Sequence, residues 1–154
     1  MTDRPFVLDS HNIIRILPHK PPAVLIDRVL EVSPGQRVLA RKCISLGDPA
    51  TLGHYPGLPV FPAGVLIEAM AQACTVLVYA TDKFDPATQI VLLVGLNKTK
   101  FRRAIVPGDV LEIDAHLSQR RSNVWRFEVK VFVDDFVVVE SGLVLSTHDR
   151  DDLL

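Results

Sequence analysis

His54 and Glu68 are the side chains of this sequence whose types and surroundings suit proton transfer. Glu68 lies in an otherwise apolar run, where Gln72, Thr75 and the Tyr79 hydroxyl supply the other polar groups. Spacings of four, three and four residues set these groups on one stripe of a helix. A carboxylate in apolar surroundings is costly unless paired or protonated. Its pKa is therefore expected to rise, which suits a general acid; the alternative is a structural pair with a basic residue across a subunit contact. His54 lies 14 residues earlier, in Gly53-His54-Tyr55-Pro56-Gly57-Leu58-Pro59-Val60-Phe61-Pro62. Proline and glycine stiffen that segment, and imidazole takes or gives a proton near neutral pH. Ala63 and Gly64, where the helix begins, offer backbone N–H groups with no helical partner, which suit a carbonyl oxygen that gains negative charge. A base, an acid and such donors suit proton abstraction beside a carbonyl, with departure of a hydroxyl from the neighbouring carbon.

An ordered set of elements must hold these groups. Ser10 is the expected N-cap of a short helix through Ile16, ended by Pro18. Residues 24–32 and 37–45 read as two strands of a hairpin, with a turn at 33–36. Across residues 47–62, four prolines and three glycines exclude a regular element, and a long ordered loop in a small domain is usually functional. Residues 63–81 are the one long helix, apolar nearly all round and so expected to be enclosed. Four strand-like segments follow at 89–100, 109–121, 124–133 and 136–146, and they read as a meander. Ser122-Asn123 and Asp134-Asp135 are its tight turns. Residues 147–154 read as a polar, frayed tail. The expected class is α+β, one long central helix wrapped by a curved antiparallel sheet of about six strands.

Composition narrows the function classes. The 154 residues make one domain, with a core at about 13–146, large enough to fold without a metal or disulfide. A hydrophobic share of 48% with 23% charged residues excludes a disordered chain. Seventeen basic against eighteen acidic residues argue against a nucleic-acid partner. The longest apolar stretch is broken by Glu68 and Gln72, so a buried helix is expected and no membrane span. Residues 1–6 lack a basic segment leading into an apolar core, so no leader is expected. Cys43 and Cys74 lack metal-ligand spacing and read as buried free thiols, which fits a cytoplasmic protein. His19 reads as structural, His116 and His148 are not favoured for catalysis, and Trp125 reads as core or interface.

Three motifs carry a family resemblance. Leu17-Pro18-His19-Lys20 followed by Val24-Leu25-Ile26-Asp27-Arg28-Val29 resembles the opening signature of the 3-hydroxyacyl-acyl carrier protein dehydratases. His54-Tyr55-Pro56-Gly57, Pro59-Val60 and Pro62, then Glu68-Ala69-Met70-Ala71-Gln72, resemble their active-site loop and helix. Phe101-Arg102-Arg103 and Val106-Pro107-Gly108-Asp109 resemble their later signature. The resemblance implies the hot-dog fold, no cofactor or metal, and a homodimer, often a trimer of dimers, with each active site at a subunit contact. It implies that His54 acts on the C2 proton and that Glu68, from the opposite subunit, protonates or positions the C3 hydroxyl. Gln72 matches a position that orients the carboxylate. The substrate implied is a (3R)-hydroxyacyl thioester, and the product a trans-2-enoyl thioester.

Phe61-Pro62-Ala63 stands where the family usually has Met-Pro-Gly, so that glycine is displaced to Gly64, and the Ala63 amide remains a donor to substrate. Lys20-Pro21-Pro22 replaces the usual Arg-Tyr-Pro, and Ala104 replaces a proline. Glu68 in place of an aspartate resembles the dehydratase-only branch. Lys98, Lys100, Arg102 and Arg103 form a basic run, extended by Arg120 and Arg121, that would suit an acidic acyl carrier protein. A thioesterase of the same fold and a non-catalytic acyl-binding subunit are the competing functions.

Overall fold

A computed structural model describes residues 7–153; residues 1–6, on which the leader expectation falls, and Leu154 lie outside the described residues. The first helix, α1 (Ser10–Ile16), is capped by Asp9, one residue earlier than expected. The Asp9 carboxylate reaches the Asn12 amide at 3.0 Å, a bond the shorter Ser10 side chain would have to make from inside the helix. Ile13, Ile16 and Leu17 turn inward and anchor it.

Strands β1 (Arg28–Ser33) and β2 (Arg37–Cys43) form the expected hairpin. The ladder begins only at Arg28, later than the apolar run suggests. The reason lies in Gln72, whose amide accepts from Leu25 N and donates to Ala23 O, both at 2.8 Å, and so occupies backbone groups ahead of the strand. The long helix α2 (Ala63–Asp82) has 20 residues and ends on Lys83 in the left-handed region at φ 54°. Ala69, Met70, Ala73, Cys74, Val76 and Leu77 are inaccessible to solvent along it. It packs against β1, β2 and strands β4 (Val110–Arg121) and β5 (Val124–Val133). By length and composition α2 passes for a membrane span, but 67% of its most apolar window is buried, as a core helix requires.

Strands β3 (Gln89–Phe101) and β6 (Phe136–Asp149) complete a six-stranded sheet of order β1-β2-β4-β5-β6-β3, antiparallel throughout. The meander is therefore β4-β5-β6 alone, joined by the expected two-residue turns, with Ser122, Asp134 and Asp135 at positive φ. β3 does not lie beside β4, whose two sides are taken by β2 and β5. It pairs instead with β6 at the far edge, where 13 residues meet a strand of 14. Register shifts in β1, β3, β4 and β6 bend the sheet around α2, because each bulge adds a residue on one strand and sharpens the local twist. Trp125, Phe127, Val129, Val131 and Val133 alternate inward on β5, toward the helix side.

Two expectations need correction. The end of the chain is not a frayed tail: Thr147, His148 and Asp149 pair with Val91, Ile90 and Gln89, and a 3-10 turn at Arg150–Leu153 follows. Pairing to the long β3 carries β6 three residues further than its apolar run predicts. Cys43 is exposed rather than buried, because it closes β2 on the side opposite Lys42; Cys74 is buried, and burial pushes its thiol pKa up.

Candidate active site

The loop between β2 and α2 is irregular but pinned at both ends. Ile44 N donates to Asp109 O and Gly108 N donates to Ile44 O, each at 2.9 Å, and Phe61 N donates to Ile105 O at 2.8 Å. Gly53 and Gly57 turn the chain at φ 76° and 78°, values that L side chains adopt only with strain. Within this loop His54 is half-buried, and its Nδ1 lies 2.8 Å from Val60 O. A carbonyl oxygen only accepts, so Nδ1 carries the ring proton of neutral His54 and Nε2 keeps its lone pair. The Tyr55 ring lies against it at 4.2 Å between centroids.

Glu68 sits on the first turns of α2. Gln72, one turn on, donates from Nε2 to Glu68 Oε1 at 3.0 Å, and His19 Nε2 lies 3.2 Å from the same oxygen. Both partners hold Oε1, and among the described residues neither contacts Oε2. Burial pushes the Glu68 carboxyl up, but the hydrogen bonds from His19 and Gln72 and the charge of His19 more than offset it. The net direction is down from the ordinary value of 4.5, the opposite of the sequence expectation. The difference comes from His19, which the sequence presents as a structural residue after a proline. Its only signal was its place in Leu17-Pro18-His19-Lys20. Gln72 is 1% exposed and its amide is fully used, by Ala23, Leu25 and Glu68.

A cavity of about 130 Å³ opens beside this carboxylate, lined by His19, Glu68, Gln72, Thr75, Leu93 and Leu145 among others. His54 does not line it, so one chain does not bring the two proton-transfer candidates into one cavity. Ala63 and Gly64 lie exposed at the start of α2, whose N-cap residue, Pro62, offers no side-chain hydrogen bond. A Cβ at Gly64 would meet nothing within 4 Å, and the neighbouring Ala63 side chain is likewise exposed. An apolar groove of about 320 Å³ runs between Val60, Phe61 and residues 101–105.

The basic run is not a set of four free charges. Arg102 donates to Glu140 at 2.7 Å, and Lys100 lies 3.9 Å from the same carboxylate. Arg103 donates to both oxygens of Asp109, at 2.9 and 3.0 Å, and to Ala104 O. Lys98 is exposed on a bulge at φ 49°, with no ion pair among the described residues. Arg120 does not extend the run: it pairs with Asp82 and lies over the Trp125 ring at 4.1 Å. Among the described residues no cluster of three or more His, Cys, Asp or Glu is arranged to hold a metal.

Residues 17–142 match the family model of the FabA-like domain. A 3-hydroxyacyl-acyl-carrier-protein dehydratase FabZ from Sorangium cellulosum is 35% identical over 150 residues, 97% of this chain and 97% of that protein. Its counterpart from Magnetococcus marinus is 40% identical over 145 residues, 94% of this chain and 95% of the relative. Among solved structures, the dehydratase heterocomplex ApeI:P from Xenorhabdus doucetiae aligns with a TM-score of 0.80 at 25% identity, over 92% of this chain and 93% of that one. A hypothetical thioesterase with coenzyme A from Streptococcus pneumoniae aligns at 0.60 with 11% identity, over 79% and 84%, and shares the fold alone. With the hot-dog architecture, the loop-and-helix motifs and these relatives together, the chain belongs to the 3-hydroxyacyl-acyl carrier protein dehydratase family.

Proposed function

We propose that this protein dehydrates a (3R)-hydroxyacyl thioester, carried on acyl carrier protein, to the trans-2-enoyl thioester in the cytoplasm. It works as a homodimer, with His54 of one protomer facing Glu68 of the other. The thioester carbonyl is held by the amides of Ala63 and Gly64, which acidifies C2. His54 Nε2 removes the C2 proton, the electron pair forms the C2–C3 double bond, and the C3 hydroxyl departs. The imidazolium returns that proton to the hydroxyl, so water leaves and His54 is regenerated. Glu68 accepts a hydrogen bond from the C3 hydroxyl through Oε2 and holds it toward the imidazolium; its lowered pKa favours this positioning role over proton donation.

The observation that carries this reading is the 2.8 Å bond between His54 Nδ1 and Val60 O, which reserves Nε2 as base. A dimer is supported by β3, an edge strand with one unpaired side and with Val94 54% and Leu96 47% exposed. It is supported too by the bare Leu52, Tyr55 and Leu58 around His54. The test is turnover of a 3-hydroxyacyl thioester followed by enoyl absorbance and by thiol release. An enoyl product supports the proposal, free thiol supports a thioesterase, and neither supports a non-catalytic acyl-binding subunit.

A further inference from the structure

We propose that Lys42 is a positioning residue for His54, its buried ammonium closing a ring of contacts that fixes the loop carrying the base. The proposal rests on His54 being the base of the dehydration. On β2 the inward positions are Val38 and Ala40, both inaccessible, and then Lys42, 5% exposed, where the two-residue period calls for an apolar side chain. From there Lys42 Nζ reaches Asp48 Oδ2 at 2.8 Å, near the start of the loop. It also stands over the Phe61 ring, 5.6 Å from the centroid, at the end of the same loop. One side chain thus touches both ends of the segment that holds His54.

The remaining contacts lie between those ends. Asp48 O accepts from Thr51 N at 2.9 Å and from the Thr51 hydroxyl at 2.8 Å. Thr51 O accepts from His54 N at 3.4 Å, and His54 Nδ1 donates to Val60 O, the residue before Phe61. The sequence of contacts runs Lys42, Asp48, Thr51, His54, Val60, Phe61 and back to Lys42. The Lys42 side chain is buried on β2, between Val38 and Ala40 on one side and the loop on the other, so the ring is referenced to the core.

Stability does not explain a lysine here. Removing an ammonium and a carboxylate from water costs about as much as their attraction returns, so such a pair contributes little net stability. What it does contribute is geometry. Gly53 and Gly57 leave the loop two joints at positive φ, and without the Lys42 tether the Val60 carbonyl is free to drift from His54 Nδ1. A drift of this kind frees the imidazole to change tautomer and to present the wrong nitrogen to C2.

The test compares wild type, Lys42→Met, Lys42→Arg, Asp48→Asn and His54→Ala by steady-state kinetics, thermal melting and imidazole ¹⁵N NMR. In Lys42→Met, which keeps the stem and removes the charge, kcat is expected to fall about 10- to 100-fold with KM changed less than about twofold. The His54 signals, identified by their loss in His54→Ala, should move from the Nδ1–H form to a mixture of tautomers. Lys42→Arg should recover both, and Asp48→Asn should behave as Lys42→Met does, which keeps the test available if Lys42→Met fails to fold. A folded Lys42→Met or Asp48→Asn with near-wild-type kcat, or with an unchanged His54 tautomer, overturns the proposal. Equal turnover by wild type and His54→Ala would instead overturn the role of His54 as the base, and the NMR comparison would still decide whether Lys42 holds His54.

Discussion

His19 Nε2 lies 3.2 Å from Glu68 Oε1, and the two residues are brought together from opposite ends of a 49-residue separation in sequence. This contact reverses the expected acidity of the carboxylate. Among the described residues His19 Nδ1 is buried with no hydrogen-bond partner, and Nε2 is the ring nitrogen that meets Glu68.

Replacing His19 should therefore change Glu68 before it changes the fold. Burial pushes the Glu68 carboxyl up, and without the His19 bond and charge only Gln72 opposes it. In His19→Ala the carboxyl should titrate at higher pH than in wild type, by carboxyl ¹³C NMR or infrared difference spectra. His19→Gln, which keeps an amide donor but no charge, should fall between them. A Glu68 titration unmoved in His19→Ala would mean the contact is absent in solution.

A site divided between protomers, as proposed, predicts complementation. His54→Ala and Glu68→Gln should each fold and each lose roughly a hundredfold or more of turnover. Refolded together, random pairing of the two chain types restores about a quarter of the sites, since each hybrid dimer has one intact pair. Sedimentation should show dimers or larger, and a fully active monomer would exclude a site shared between protomers.

Lys98 and Arg103 should separate carrier recognition from structure. Lys98 is exposed and unpaired among the described residues, whereas Arg103 grips Asp109 with two bonds. Lys98→Glu is expected to raise the apparent KM for a carrier-linked substrate, to leave a short free thioester unaffected, and to leave the melting temperature unchanged. Added salt should reproduce the KM effect in wild type. Arg103→Ala should lower the melting temperature and impair both substrates alike. If Arg103→Ala melts as wild type and only the carrier-linked substrate suffers, its role is recognition.

Acid should find the Asp109 turn. The Arg103 guanidinium and the Val106 amide outweigh burial and hold the Asp109 carboxyl below its ordinary value of 3.8. A depressed folded-state pKa contributes stability that is complete above the unfolded value and is lost as pH falls through the folded one. Wild type should lose more stability than Asp109→Asn on going from pH about 4 to about 2, read from denaturant midpoints. Parallel losses in the two proteins would show that Asp109 is not held by Arg103.

Local pattern was enough to determine much of this protein. Turn chemistry at Ser122-Asn123 and Asp134-Asp135, the alternation of β5 and the nearly all-round apolar character of α2 depend on neighbours a few residues apart, and these elements stand where the sequence puts them. The Glu68–Gln72 pair is legible for the same reason, being four residues apart on one helix. What closes over long distances was decided only by the tertiary structure. β3 takes the β6 edge because β2 and β5 already flank β4, which no period in β3 records. Gln72 ends the ladder before β1, and His19 reaches Glu68, because α2 is enclosed by the chain that precedes it. Lys42 is buried and Arg103 is paired because Asp48 and Asp109 happen to fold back onto them. A residue's type states what bonds it can make. Which partner it finds, and so whether a carboxyl is pushed up or held down, is set by the closing of the sheet around the helix.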